Sequence, residues 1–249
     1  MPAYQKTSLK AVLLPNRALL MLAVTLLISG CGGSRTETQP YKLARDISLG
    51  EYYPIRENRV WSLEWKNLRG DVWRGVMTVT DMTEDDGLEV YLIVDTTITD
   101  DKTVVSRSAY MWDVEGLKHL YRVGANGDST CFRPARTVLP ARVDGGREYT
   151  YDYHCEIYSR AGKKLFSSDV RQKYRLIDRC QLQTEFGRWK NVVVVESQRT
   201  DDYSNGTTKT RRQAVWYARG VGPVKIVTGI PLDARDLEGE ATGLLVKVN

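Results

Sequence analysis

Hydrophobic and polar residues alternate with a period of two along most of the chain beyond residue 40. In one clear run, Trp61, Leu63 and Trp65 are separated by serine and glutamate. Turn-forming residues separate such runs, as at 85–87 and 204–206. This alternation is typical of antiparallel strands with one buried face. Because convincing helical periodicity is absent after residue 31, the pattern predicts an all-β protein.

The longest alternating run lies in the second half of the chain. Tyr149, Tyr151 and Tyr153 share one face of this strand, while acidic and polar residues occupy the other face. The four valines at 192–195 are apolar and β-branched on both faces, which indicates a central strand. We therefore predict a single antiparallel, strongly curved sheet or an open half-barrel.

A short pattern occurs twice in the chain. Residues 53–56 and residues 139–142 each contain a proline, and each precedes a polar turn and an aromatic alternating strand. Repeats of this kind change the expected architecture. If the pattern reflects a repeated unit, the sheet consists of two sequential meanders; chance similarity is the alternative.

The first thirty residues have the three regions of a bacterial signal peptide. Lys6, Lys10 and Arg17 form a positive region, and residues 18–28 form an apolar run. These eleven residues are too few to span a bilayer, which needs about 20. The residues leading to Cys31 resemble a lipobox, so we predict lipidation of Cys31. An ordinary signal anchor or a buried helix is the alternative.

This interpretation divides the chain into three parts. Residues 1–30 are the signal peptide, residues 31–40 are the lipidated cysteine with a small, polar, flexible tether, and residues 41–249 are a β-rich globular domain. In the lipoproteins that this N-terminus resembles, aspartate after the cysteine favours the inner membrane. Gly32 therefore indicates the bacterial outer membrane, with the domain facing the periplasm and the lipid as its membrane partner.

Net charge argues against nucleic acid as a partner. The formal charge is +5, but loss of three basic residues with the signal peptide leaves 33 basic and 31 acidic side chains. Charges of both signs are interleaved, and no long basic block is present to neutralise phosphates.

Three cysteines remain once Cys31 is acylated: Cys131, Cys155 and Cys180. The cell envelope favours disulfides, and three cysteines permit one bridge and one free thiol. The pairing is not determined by sequence, although a bridge that involves Cys155 is favoured. The alternative is that all three thiols are reduced. No Cys-x-x-Cys spacing indicates a zinc or redox site.

Four segments together resemble a family of uncharacterised bacterial lipoproteins and envelope proteins. They are residues 52–55 with Trp61, residues 137–151, residues 184–196, and the most specific motif, residues 216–225. The resemblance implies a β-rich domain with a curved sheet like that of lipoprotein-localisation factors, and it implies no known activity. The chain departs from the family pattern at Asn58, Phe186 and Pro223.

The two glycines of the last motif have a structural interpretation. Gly220 and Gly222 lie between a strand that ends near residue 217 and another that starts near residue 224. Glycine tolerates positive φ and close backbone approach, so we predict a structural turn. A phosphate-binding loop is the alternative, but it requires a following helix, and the following residues indicate a strand.

The candidate chemistry is sparse. His119 and His154 have no metal-ligand spacing, and no Gly-x-Ser-x-Gly elbow presents a serine. We predict no metal, no cofactor and no catalytic residue. The predicted function is a non-enzymatic cell-envelope lipoprotein that binds a lipid-like ligand or an envelope protein on an apolar concave face. An envelope hydrolase and a purely structural or assembly protein are the alternatives.

The predicted ligand groove consists of aromatic residues. If the curved sheet has no full lid, its apolar face is open to an acyl chain or a partner. The alternative is that the same side chains fill the core. The groove residues are Trp61, Trp65, Tyr149, Tyr151 and Tyr153.

Overall fold

The computed structural model describes residues 46–85 and 87–249. The predicted signal peptide, Cys31 and the tether lie outside this part, so these assignments remain predictions. Apart from one 3-10 turn, Gly50–Tyr52, the regular structure of the described residues is β-strand. No helix in this part of the chain is long and apolar enough to cross a membrane.

Fourteen strands follow one another in the described residues. Their bounds are β1 Ile47–Ser48, β2 Val60–Asn67, β3 Val72–Asp85, β4 Leu88–Ile98, β5 Thr103–Asp113, β6 Gly116–Val123, β7 Ser129–Pro140, β8 Arg142–Val143, β9 Glu148–Tyr158, β10 Lys164–Thr184, β11 Gly187–Tyr203, β12 Thr208–Ala218, β13 Gly222–Thr228 and β14 Ala241–Val248.

Twelve of these strands form one closed antiparallel barrel. Strands β2 to β7 and β9 to β14 each pair in sequential order, and β7 pairs with β9. Pairing of β14 with β2 closes the ring, with Leu245 opposite Leu63. The all-β antiparallel prediction is confirmed. The twelve strands follow one another continuously around the ring, and β8 interrupts them between β7 and β9, so we refer to the six strands on either side as the first and second meander. The predicted curvature continues until the sheet closes, which leaves no free edge strand in the barrel.

The two short strands join the starts of the two meanders. Strand β1 precedes the first six-strand meander, β8 precedes the second, and they pair antiparallel with Ile47 opposite Val143. The repeated sequence segments, 53–56 and 139–142, therefore lie next to equivalent elements of the two halves.

One end of the barrel is covered by residues 46–56, and we name it the plugged end. Leu49 N–H donates to the Ala141 carbonyl at 2.8 Å, and Gly220 N–H donates to the Glu51 carbonyl at 2.8 Å. Glu51 also forms a 2.6 Å ion pair with Arg219. Since these partners lie in the β7–β8 and β12–β13 connections, the segment binds both halves of the barrel.

Two of the sequence motifs meet at the plugged end. Trp61 stacks on Tyr53 at 5.3 Å between ring centroids, and its indole Nε1 donates to the Val221 carbonyl at 2.7 Å. Arg59 donates to the same carbonyl at 3.1 Å. Gly222 has φ 111°, and a Cβ placed there would lie 2.5 Å from the indole Nε1. The motif at residues 216–225 thus supplies the backbone carbonyl and the glycine against which the Trp61 indole packs.

A buried ion pair attaches the segment between β13 and β14 to the barrel. Arg212 and Glu196 are 7% and 5% exposed, and Arg212 Nε donates to the Glu196 carboxylate at 2.9 Å. Arg212 Nη1 also donates to the carbonyl of Ala234 at 2.8 Å. Arg175 contacts the other oxygen of Glu196 at 2.9 Å, but its side chain is half exposed.

Replacing Arg212 with methionine is expected to lower the free energy of unfolding by about 3 kcal/mol, because a buried carboxylate loses its buried partner. The matched change Arg175→Met is expected to cost less than about 1 kcal/mol, because solvent screens that contact. Urea denaturation curves measure both values. Equal losses of stability in the two variants would contradict the conclusion that Arg212 is the main partner of Glu196.

The expected disulfide that involves Cys155 is wrong, because all three cysteines are free thiols. Cys155 is opposite Phe132 in the β7–β9 register, while Cys131 is opposite Glu156, so the two side chains lie on opposite faces of the sheet. Cys180 lies in β10 twelve residues beyond Ser168, the partner of Cys155. At about 3.3 Å per residue, that separation is about 40 Å.

Candidate functional site

The predicted groove residues lie on opposite walls of the barrel. Strands β2 and β9 are six positions apart in the ring of twelve. Trp61 is fully buried in the core at the plugged end, whereas Trp65 is half buried and stacks on Trp73 at 6.0 Å. The β9 tyrosines face the interior, where Tyr153 is buried and the other two are half buried. They do not form one continuous surface with the tryptophans.

An aromatic row crosses four neighbouring strands inside the barrel. Tyr110 on β5 stacks on His119 on β6 at 4.4 Å, and His119 lies 4.8 Å from Phe132 on β7. Phe132 meets Tyr153 on β9 edge-to-face at 5.8 Å. Arg199 lies over the Tyr153 ring at 5.8 Å. The row ends in a cation, so the interior changes here from apolar to charged.

His119 is a buried, neutral member of this row. It is 5% exposed, and its Nε2 has no hydrogen-bond partner among the described residues. Burial lowers the pKa of His119 to about 3, and the positive charge of Arg136 acts in the same direction. Asp95 lies further along the interior, and burial raises its pKa to about 6, although Arg122 opposes this shift.

These two groups are expected to give opposite pH dependences of stability. For His119 the unfolded chain takes up a proton near pH 6.5 and the folded chain only near pH 3, so acidification through that window favours unfolding by up to several kcal/mol. For Asp95 the folded chain takes up its proton near pH 6 and the unfolded chain near pH 3.8, so acidification there favours folding.

Two variants separate the contributions of His119 and Asp95 to the pH dependence of stability. Between pH 6 and pH 4, the free energy of unfolding of His119→Phe is expected to rise on acidification relative to the native protein, and that of Asp95→Asn to fall. Urea titrations at several pH values measure both slopes. Parallel slopes for the native protein and His119→Phe would show that the histidine titrates normally.

The principal cavity of the interior has a volume of about 820 Å³. Its floor includes Gln172 and Ser197, which are 1% and 4% exposed. Its mouth includes Arg211, whose side chain is half exposed, and Leu232. Leu232 belongs to the segment between β13 and β14, which lies at the opposite end of the up-and-down barrel from the plugged end. We name the mouth side the open end.

The lining of this cavity is strongly cationic. One carboxylate, that of Glu240, faces six basic residues: Arg122, Arg136, Arg199, Lys209, Arg211 and Arg212. Three of these have carboxylate partners: Arg199 and Arg211 lie 3.0 Å and 3.9 Å from the Asp201 carboxylate, and Arg212, which points to the other face of β12 from Arg211, binds Glu196. Arg122 donates to the Ser106 hydroxyl at 3.0 Å. The cavity therefore carries an excess of positive charge that its own walls do not neutralise.

Arg136 is the central cation without a carboxylate partner within the described ranges. Its Nε is buried and has no hydrogen-bond partner there. Burial is the larger influence on the pKa of each neighbouring aromatic group, and the Arg136 charge acts on all of them: Tyr110, His119, Tyr153, Tyr174 and Tyr217. The guanidinium thus lies at the middle of the interior, where an anion can approach it.

A second, apolar pocket of about 310 Å³ adjoins the cationic cavity. Trp65, Trp73 and Ile226 are part of its wall, and Thr228 lines both spaces. Asp95 is its one carboxyl group among the described residues. Trp65 is thus the predicted groove residue that lines an apolar pocket.

The remaining histidine, His154, makes a polar contact with a carboxylate on the surface. His154 Nδ1 lies 2.8 Å from the Asp169 carboxylate, and both side chains are exposed. Over residues 46–85 and 87–249, no group of three or more histidine, cysteine or acidic residues is arranged to hold a metal ion.

Gly220 and Gly222, with φ 73° and 111°, connect β12 to β13 at the plugged end, far along the barrel from the cavity mouth.

Two solved structures are similar to this chain. One is the crystal structure of a candidate lipoprotein from Parabacteroides distasonis, with 11% sequence identity and a TM-score of 0.47 over 80% of this chain and 98% of that chain. The other is a candidate exported protein with a YmcC-like fold from Bacteroides fragilis, with 10% identity and a TM-score of 0.46 over 79% and 98%. No protein-family model matches the chain, and no curated protein matches it.

Proposed function

We propose that this protein is a non-enzymatic cell-envelope lipoprotein that binds an anionic ligand inside its barrel. The lipid on Cys31 would hold the domain at the outer membrane, facing the periplasm. The concave face expected from the sequence corresponds in this proposal to the inner wall of the barrel. The ligand would enter at the open end, because residues 46–56 cover the other end.

The observation that carries the proposal is that Arg136 has no carboxylate partner among residues 46–85 and 87–249, in a cavity lined by six basic residues and one acidic residue. Arg136 is half buried with its Nε fully buried, and withdrawing a charge from water is costly unless it is paired. A guanidinium presents donors in a planar fork that matches carboxylate, sulfate and phosphate groups. An acidic group at this position would supply the partner that the described part of the chain does not provide.

Calorimetric titration with inorganic phosphate and sulfate tests the proposal. We expect saturable binding that weakens as ionic strength rises, because salt screens the cations near the mouth. Arg136→Met should weaken the binding by about 100-fold, while Arg188→Met, at an exposed position outside the cavity, should leave it unchanged. Absence of binding at low salt, or equal binding by Arg136→Met, would refute the proposal.

The anchor is tested independently of the ligand. Metabolic labelling with a palmitate analogue is expected to modify the native protein and to leave Cys31→Ala unmodified. The native protein should partition with membranes, and the variant should not. An unlabelled native protein would remove the lipoprotein part of the proposal without affecting the interior site.

A further inference from the structure

The cationic cavity and the apolar pocket lie side by side at the open end of the barrel. Thr228 lines both of them, and its neighbours in the sheet are divided between the two. Gln213, its partner on β12, lines the cationic cavity, and Ala241, its partner on β14, lines the apolar pocket. One ligand that enters at the open end, next to Thr228, can therefore contact both environments.

The apolar pocket depends on two glycines beneath Trp65. A Cβ on Gly75 would lie 2.8 Å from the Trp65 Nε1, and a Cβ on Gly243 would lie 2.8 Å from the Trp65 ring. Because both positions lack a side chain, the indole lies close against the wall of the barrel and stacks on Trp73. The stack leaves apolar space on the interior side that the protein's own side chains do not fill.

We propose that the ligand is an anionic amphiphile with a phosphate or carboxylate head at Arg136 and an apolar chain against Trp65 and Trp73. This inference rests on the proposed function, since it takes the anion site as given and adds the part of the ligand that lies beyond the acidic group. The positive charge of Arg136 favours a ligand with an acidic head group, and the tryptophan pocket favours a ligand with an apolar chain. A neutral lipid leaves Arg136 unpaired, and a small inorganic anion leaves the tryptophan pocket empty.

Burial of the chain supplies the second part of the affinity. Each methylene group that leaves water for an apolar site stabilises the complex, so a chain of several carbons outweighs the loss of its own flexibility. Asp95 is the one carboxyl group among the residues that line the apolar pocket, and it is close enough to Arg122, which lines the cationic cavity, for that charge to act on it. The rest of the pocket wall has no formal charge.

Three probes separate the two parts of the ligand: inorganic phosphate, decyl phosphate and the neutral decyl maltoside, each below its micellar concentration. We expect the native protein to bind decyl phosphate at least about tenfold more tightly than inorganic phosphate. Trp73→Ala should remove that gain and leave phosphate binding unchanged. Arg136→Met should weaken the binding of both phosphates.

A spectroscopic measurement covers the case in which Trp73→Ala fails to fold. Decyl phosphate brominated at the end of its chain should quench tryptophan fluorescence, and the quenching should decrease in Trp73→Phe but not in Trp189→Phe. Trp189 lies near the β10–β11 hairpin and lines neither pocket. Both phenylalanine variants retain an aromatic ring at the substituted position.

The possible failures are distinguishable. Equal affinity for decyl phosphate and inorganic phosphate, both sensitive to Arg136→Met, would overturn the amphiphile and retain the anion site. Binding of decyl maltoside as tight as that of decyl phosphate, with no effect of Arg136→Met, would overturn the anion site as well. Quenching that is equal in Trp73→Phe and Trp189→Phe would place the chain outside the tryptophan pocket and overturn the inference.

Discussion

Replacing Gly222 with alanine is expected to destabilise the barrel by about 4 kcal/mol. The backbone at this position has φ 111°, a conformation that L side chains rarely adopt, and this strain costs about 1–3 kcal/mol. The new methyl group would also lie 2.5 Å from the Trp61 Nε1. Relief of that contact moves the indole away from the Val221 carbonyl and leaves buried polar groups without partners, at about 1–3 kcal/mol.

Gly220 provides the matched control in the same turn. Its φ is 73°, but a Cβ there would meet no atom within 4 Å, so Gly220→Ala is expected to cost only about 1 kcal/mol. Urea denaturation followed by near-UV circular dichroism measures both losses and reports the packing of Trp61. If the two variants lose the same stability, close packing of Gly222 against Trp61 does not contribute.

Arg136→Met is expected to make the protein more stable by about 1 kcal/mol while it lowers the affinity for anions by about 100-fold. The stability rises because the folded state no longer holds a cation without a partner among the described residues, and methionine retains the apolar stem. The affinity falls because a charged, two-point contact to the ligand is lost. This opposition between stability and binding is a mark of a functional site.

Arg199→Met is the control for this change, because it removes a cation from the same cavity. Asp201, its partner, is only 1% exposed and would keep only the longer 3.9 Å contact to the half-exposed Arg211, so this variant is expected to lose about 3 kcal/mol. Thermal denaturation in ligand-free buffer compares the two. A destabilised Arg136→Met would indicate that Arg136 supports the fold and not a ligand.

Local pattern was sufficient for the fold class and for individual strands such as β2, β9 and β11. The alternation along β9 depends on residues next to one another in sequence, and the structure has that strand with its tyrosines facing inward. The repeated segments, 53–56 and 139–142, indicated two meanders, because each introduces a strand after a proline and a turn. Two consecutive strands that are joined by a short turn pair as antiparallel neighbours, so the positions of the strands and turns in the sequence already indicate much of the pairing.

The cavity could not be predicted from the same alternation. Irregular register between His119 and Tyr121 changes which side chains of β6 face inward, so that His119 and Arg122 both act on the interior. The basic residues of the cavity are far apart in sequence and have no shared spacing. Arg136 had no local signal, because its lack of a partner depends on which strands surround it.

Sequence alone determined that this is an antiparallel all-β chain, because alternation and turn residues act over a few neighbouring positions. Tertiary structure decided that the sheet closes, that the tryptophans and tyrosines stand on opposite walls, and that the cysteines remain apart. It also decided that an arginine without a protein partner lies beside an apolar pocket. These properties depend on the pairing register between every two neighbouring strands of the ring. A single β-bulge in one pair changes which side chains face each other inside the barrel.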